Sequence, residues 1–162
     1  FIDSVGINTH LSWGGSTSAY ANRTAVLEAI DYLGVSFIRD GSPTEGWTMP
    51  LYRTLADKGI RTLAPPLFAL VAPGEGHDMV PSAYAKAIKA AGMDIITWSL
   101  ERSGPIGRGN GGWYYGSVKS VATDDGAIYE MVDTLAQEVG VKGIFSDWPA
   151  TVTYYANCMG IE

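Results

Sequence analysis

The sequence predicts an α/β fold: a partial TIM-barrel-like (βα)5 repeat with parallel strands, left open or completed by oligomerisation. Three observations predict it. A glycine repeatedly closes a helical pattern, and a short β-branched, apolar run follows at once. The helical stretches carry apolar residues at the 3.6-residue period. The 162 residues supply five such units, whereas an eight-fold barrel usually takes about 250 residues and at least about 200.

The elements follow in order. An opening strand is expected over Ser4 to Thr9. A helix then starts near Asn22, with Val26, Leu27, Ile30 and Leu33 on one face. Gly34 stops it, because glycine takes the left-handed conformation that ends a helix without steric cost. Val35-Ser36-Phe37-Ile38 is the second strand. Lys58-Gly59 repeats the junction before the third, Ile60 to Leu63, which ends at Pro65-Pro66. Ser82 is placed to cap a helix from Ala83 to Ala91, and Gly92 leads into the fourth strand, Met93 to Ile96. Ile128, Val132, Leu135 and Val139 share a face of the helix after Asp125. Gly140 closes that helix ahead of the fifth strand, Val141 to Phe145. Pro149 suits the first turn of a short final helix. Short apolar strands of this kind are those of a parallel sheet, and residues 1–162 read as one domain. Five units leave two strand edges, which must be covered, twisted away or paired with another chain. The expectation is therefore an open five-stranded sheet flanked by helices, or a homo-oligomer that closes a shared barrel.

Composition narrows the functions. Hydrophobic residues make up 46% and charged residues 17%, enough burial to offset chain entropy. No apolar run approaches the roughly 20 residues of a membrane span. The formal net charge is −6, and no cluster of Lys and Arg reverses it locally, which excludes nucleic acid as a partner. A single cysteine, Cys158, rules out an internal disulfide framework and a cysteine-based zinc site. It is expected to be a small buried hydrophobe. The chain opens at Phe1 with neither methionine nor a signal-peptide pattern, which fits a processed product or an excised segment and fixes no location.

In this architecture the polar strand ends and the loops after them form the working face. The first strand delivers Asn8 and His10, and the second delivers Arg39 and Asp40, with Glu45 and Trp47 in its loop. The fourth delivers Trp98, Glu101 and Arg102, and the fifth Asp147 and Trp148. Asp40, Glu101 and Asp147 suit a hard divalent ion, Mg²⁺ or Ca²⁺, with His10 left for proton transfer and an arginine for phosphate oxygens. Alternatively, two of the carboxylates serve as acid and base on a glycosidic bond, with tryptophan faces offered to a sugar. Against both stand structural roles: Asp147 as a helix cap and Arg39–Asp40 as an ion pair. His77, in Gly74-Glu75-Gly76-His77-Asp78, is expected to be solvated. The stretch from Gly107 to Tyr115 invites a phosphate-loop reading but resists it, since no strand directly precedes it and no helix opens directly after it; a long, mobile, aromatic-tipped loop after the fourth strand is expected.

The last hundred or so residues, from about 62 to 162, resemble the C-terminal part of bacterial glycerophosphodiester phosphodiesterases. The match runs through Leu63-Ala64-Pro65-Pro66, Val80-Pro81-Ser82-Ala83-Tyr84-Ala85 and Ile96-Thr97-Trp98-Ser99-Leu100-Glu101-Arg102-Ser103-Gly104-Pro105. It continues in the Gly-Trp-Tyr-Tyr loop, Gly143-Ile144-Phe145-Ser146-Asp147-Trp148-Pro149-Ala150-Thr151 and Tyr154-Tyr155-Ala156-Asn157-Cys158. The resemblance implies a piece of a metal-dependent (βα)8 barrel that hydrolyses glycerophosphodiesters, and what matches looks like its last three strands. It supplies Trp98, Glu101 and Trp148 as wall and substrate-side residues. The family's His-Arg-Gly motif, its Glu-x-Asp ligand pair and its second histidine are absent here.

Residues 1–61 resemble something else. Val5-Gly6-Ile7-Asn8-Thr9-His10 and Leu33-Gly34-Val35-Ser36-Phe37-Ile38-Arg39-Asp40-Gly41 are similar to the opening units of a (βα)8 glycoside hydrolase. There a strand-end His and Arg line the sugar site, while the catalytic carboxylates belong to strands missing here. The two resemblances together imply a hybrid of natural or engineered origin, joined near Arg61 to Ala64, and they favour an extracytoplasmic location.

The expected function is that of a hydrolase-derived partial barrel with weak or absent activity, metal-dependent phosphodiester hydrolysis being the leading reaction. Its catalytic residues would be His10, Glu101 and Asp147. Asn8, Arg39, Trp47, Trp98, Arg102 and Trp148 would bind a small phosphodiester or sugar, and Asp40, Glu101 and Asp147 a metal. The alternatives are an inert folding and oligomerisation module and a carbohydrate-binding remnant using His10, Arg39, Trp47 and Trp98.

Overall fold

A helix that stops at a left-handed glycine and turns at once into an extended apolar run is repeated along this chain, and each repeat adds one strand to a growing sheet. The computed structural model describes residues 6–11, 17–41, 48–109 and 111–161. The chain passes through β1 (Gly6–Asn8), α1 (Arg23–Leu33), β2 (Phe37–Arg39), α2 (Thr48–Asp57) and β3 (Thr62–Ala64). It continues through α3 (Leu67–Leu70), β4 (Val71–Pro73), β5 (Met79–Pro81), α4 (Ala83–Ala90) and β6 (Asp94–Thr97). It finishes with α5 (Ile106–Gly109), α6 (Ala127–Asp133), β7 (Gly143–Ile144) and α7 (Pro149–Met159). The start of the expected first strand, Ser4 and Val5, lies outside the described residues.

The helix ends are built as the sequence predicts. Asn22 accepts the Ala25 N–H at 3.2 Å at the start of α1, and Gly34, at φ +62, donates to the carbonyls of Ile30 and Asp31 at its end. Ser82 Oγ accepts the Ala85 N–H at 3.1 Å to open α4. After Asp133 the helix continues as a π-helix over Thr134–Val139 and stops at Gly140, φ +69. The final helix is longer than expected, 11 residues, with Pro149 in its first turn.

Five strands form one parallel sheet in the order β1-β2-β3-β6-β7. In register, Ile7 stands beside Ile38, Ile38 beside Leu63, and Leu63 beside Ile95. Because side chains alternate across a strand, this row defines one face. Ile38, Leu63 and Ile95 are fully buried, in one core with Ile30 of α1, Leu55 of α2, Ile88 of α4 and Leu135 and Val139 of the π-helix. The core therefore spans residues on both sides of position 61. The other face carries Asn8, Phe37, Arg39, Thr62, Asp94, Ile96 and Phe145, half-buried or exposed, and Ala64, which is fully buried. There a Cβ on Gly6 would collide with the Phe37 ring, and one on Gly143 would meet Ile96 at 3.8 Å. The mixed α/β class and the parallel sheet are as predicted; the row of Ile38, Leu63 and Ile95 is buried with the helical core, whereas on the other face Ala64 is the one buried strand residue among the described residues.

The sequence reading did not anticipate β4 and β5. They pair antiparallel, Val71 beside Pro81 and Pro73 beside Met79, around a turn closed by Gly74 N–H to the Asp78 carbonyl at 2.7 Å. Proline argues against an interior strand but is tolerated at the ends of a two-stranded ribbon. His77, at φ +66, sits exposed in that turn. Cys158 is exposed rather than buried. The last helix turns Val152 and Tyr155 inward, while Cys158 lies one turn after the exposed Tyr154, on the outward face. No helix among the described residues is long and apolar enough to cross a membrane.

Candidate functional site

Parallel strands put all their C-terminal ends on one rim, and the polar residues there are contributed by β1, β2 and β6 in register. Asn8 stands beside Arg39. Asn8, Thr9 and His10 from the end of β1, Arg39 to Gly41 from β2, and Trp98 just after β6 line a cleft of about 180 Å³.

Asp40 ties the first two strand ends together. Its Oδ2 accepts from Thr9 Oγ1 and from the Leu11 N–H, each at 2.8 Å, and its Oδ1 from the Gly41 N–H at 2.6 Å. The residue is 4% exposed. The expected pairing with Arg39 is replaced by a different one: the Arg39 guanidinium lies 4.3 Å above the Trp98 ring. That ring is pinned in turn, since Trp98 Nε1 donates to the Ala64 carbonyl at 2.7 Å. His10 is exposed at the same rim, its ring 6.1 Å from that of Tyr20 in an edge-on arrangement.

Glu101, Ser146 and Trp148 form a second cluster. Ser146 Oγ donates to Glu101, 2.7 Å from Oε2 and 2.9 Å from Oε1, and the Trp148 N–H donates to Oε2 at 3.1 Å. Glu101 thus fastens the segment after β6 to the one after β7. Asp147 pairs with Arg102 Nε at 3.3 Å in an exposed ion pair, a kind worth little. It does not cap α7, which opens at Trp148 without a side-chain cap. Trp148 itself is exposed. Tyr52 and Tyr84 lie near Asp40, and Tyr115 lies near Glu101. Burial pushes the Tyr52 and Tyr84 hydroxyls above the ordinary range, with Asp40 adding to the effect. Burial and then Glu101 do the same to Tyr115. These hydroxyls stay protonated at neutral pH.

The predicted residues therefore fall into two groups. Asn8, His10, Arg39, Asp40 and Trp98 share the cleft, while Glu101, Arg102, Asp147 and Trp148 belong to the second cluster. Trp47 and Glu45 lie outside the described residues. The donor set for Mg²⁺ or Ca²⁺ is not gathered: Asp40 faces inward to its three donors, Glu101 is held by Ser146 and Trp148, and Asp147 faces Arg102. No group of three or more His, Cys, Asp or Glu residues converges as a metal site among the described residues. Thr9 and Ser146, which orient the carboxylates, were not singled out by sequence, because hydroxyl residues at strand ends are too common to stand out.

No protein-family profile matches the chain, and no solved structure does. A curated relative is an "Extracellular protein" of Arthroderma benhamiae, 55% identical over 109 residues, a match that covers 66% of this chain and 44% of the relative. The chain spans less than half the length of that relative.

Proposed function

We propose that the protein is a hydrolase-derived partial barrel whose strand-end cleft recognises a small phosphodiester and turns it over weakly or not at all. The observation that carries this reading is Arg39. Its guanidinium is fixed over the Trp98 ring at the edge of the cleft, and no carboxylate among the described residues forms an ion pair with it. A guanidinium held by an aromatic ring keeps its N–H fork free for phosphate oxygens. Asn8 adds a neutral donor and His10 a proton-transfer group beside it. Catalysis is the weaker half of the reading, because Asp40 and Glu101 spend their oxygens on internal donors. In this reading residues 1–61 are glycosidase-like and 62–162 phosphodiesterase-like, and the uncovered sheet face is the lining of an incomplete barrel. The name of the Arthroderma relative supports a secreted location.

Titration calorimetry with glycerophosphocholine tests the binding. Saturable binding is expected, weakened at least about tenfold by Arg39→Ala; unchanged affinity in a folded Arg39→Ala protein would sink the site. Turnover of bis(p-nitrophenyl) phosphate with Mg²⁺ or Ca²⁺ is expected near background. Chelator-sensitive turnover abolished by Asp147→Ala would instead assign a working metal-dependent phosphodiesterase.

One observation favours a second reading, a self-associating module. Parallel sheets are normally covered on both faces, and here Phe145, on the open face, is 57% exposed.

A further inference from the structure

Three aromatic rings lead outward from the cleft. Tyr114 meets Trp98 at 6.1 Å between centroids, Trp113 meets Tyr114 at 5.1 Å, and Phe68 lies 4.5 Å from Trp113. Trp113 is the most exposed of them, at 55%. Its contacts with Phe68 and Tyr114 are tilted at 58° and edge-on at 75°. The backing rings therefore steady the indole without stacking flat against it.

The loop holds Trp113 out by construction. Gly111 and Gly112 both have positive φ, +63 and +55. A Cβ on Gly111 would lie 2.6 Å from the Tyr115 side chain, and one on Gly112 would lie 2.8 Å from that of Ser103. Tyr115 anchors the loop from below, buried and donating to the Leu100 carbonyl at 3.0 Å. The Gly116 N–H donates to the Trp113 carbonyl at 3.1 Å.

We propose that Trp113, backed by Phe68 and Tyr114, is a sugar-stacking platform that extends the cleft, so that the phosphodiester bound there carries a pyranose on its outer oxygen. This inference rests on the reading of the cleft as a phosphodiester site. The cleft, at about 180 Å³, is smaller than the roughly 300–1,000 Å³ of pockets that enclose a whole ligand. It takes the phosphate and leaves the second alcohol outside, on the side of the ring ladder. What lands there meets an open aromatic face, not an enclosed pocket. A wholly apolar group would keep most of its surface in water at such a place. A pyranose has an apolar C–H face for the indole and a rim of hydroxyls that remain hydrated, and tryptophan presents a rigid, wide apolar surface for that purpose.

The test is a calorimetric titration with three probes: ethyl glucosyl phosphate, diethyl phosphate and methyl glucoside. The glucosyl diester is expected to bind about fivefold tighter than diethyl phosphate. Trp113→Ala is expected to remove that preference and leave diethyl phosphate binding intact, while Trp113→Tyr keeps part of it. Circular dichroism identifies the folded variants, and an exposed tip residue is a mild place to substitute. Equal binding of the two diesters, or a preference that survives Trp113→Ala, overturns the platform and leaves the phosphodiester site standing. Methyl glucoside binding that depends on Trp113, with no binding of diethyl phosphate, supports the platform and overturns the phosphate reading. No binding of any probe overturns both.

Discussion

Burying a carboxylate costs free energy unless donors surround it, and Asp40 has a hydroxyl and two backbone N–H groups on its two oxygens. The arrangement joins the ends of β1 and β2, which places Asn8 and Arg39 side by side. Asp40→Ala would leave Thr9 Oγ1 and the N–H groups of Leu11 and Gly41 facing a small cavity. The expected loss is about 3 kcal/mol, since hydrogen bonds to charged groups carry about 1.5–3 kcal/mol and stranded donors add to the cost. Chemical denaturation measures it, and a loss below about 1 kcal/mol would mean that water replaces the carboxylate at little cost. Residue type and strand-end position made Asp40, Glu101 and Asp147 visible in the sequence. The direction each carboxylate faces was not visible, because it is decided by Thr9, Ser146 and backbone donors that no pattern marks. The same holds for Arg39: its neighbour in sequence is Asp40, yet its partner is Trp98, which lies 59 positions away along the chain and arrives only when β6 joins the sheet.

At the scale of elements, the glycine junctions were legible because they act locally. A helix needs a stop, glycine supplies it without strain, and the next residues are already extended. The β4–β5 ribbon was not legible, since Pro73 and Pro81 weaken any strand signal and its pairing depends on a turn whose residues also read as a solvated loop. Ser82 sits where the two kinds of signal meet. Its Oγ accepts the Ala85 N–H to cap α4 and donates to the Ala69 carbonyl at 2.6 Å, so it locks the helix start to the end of α3. Replacement by alanine removes a helix cap, which costs about 1 kcal/mol, together with the Ala69 contact. Ser82→Ala is therefore expected to melt several degrees below the parent, and Ser82→Thr close to it. Equal melting of Ser82→Ala and the parent would show that neither bond contributes.

For the molecule as a whole, the count of five units was legible, but the one-sided packing was not. Phe37, Ile96 and Phe145 look like core residues in sequence, as Ile38, Leu63 and Ile95 do, and only the pleat and the position of the helices separate them. The consequence is a parallel sheet whose open face carries Phe37, Ile96 and Phe145 at different register levels among Asn8, Arg39, Thr62 and Asp94, and which has two edge strands, β1 and β7. Both features are costly in water, since edges expose unpaired backbone groups and apolar surface gains about 25 cal/mol per Å² on burial. A second copy presents the same face, so a two-fold contact buries both at once, and a stable one takes about 800 Å² from each partner. The sedimentation coefficient is therefore expected to rise with concentration through the micromolar range, and the melting temperature with it. Phe145→Asp is expected to hold the chain monomeric without unfolding it. The side chain there is exposed, and the strand pairing uses the backbone, Phe145 N–H to the Thr97 carbonyl at 2.7 Å. A protein that sediments as one monomeric species across that range has left its open face to water, and the assembly reading falls with it.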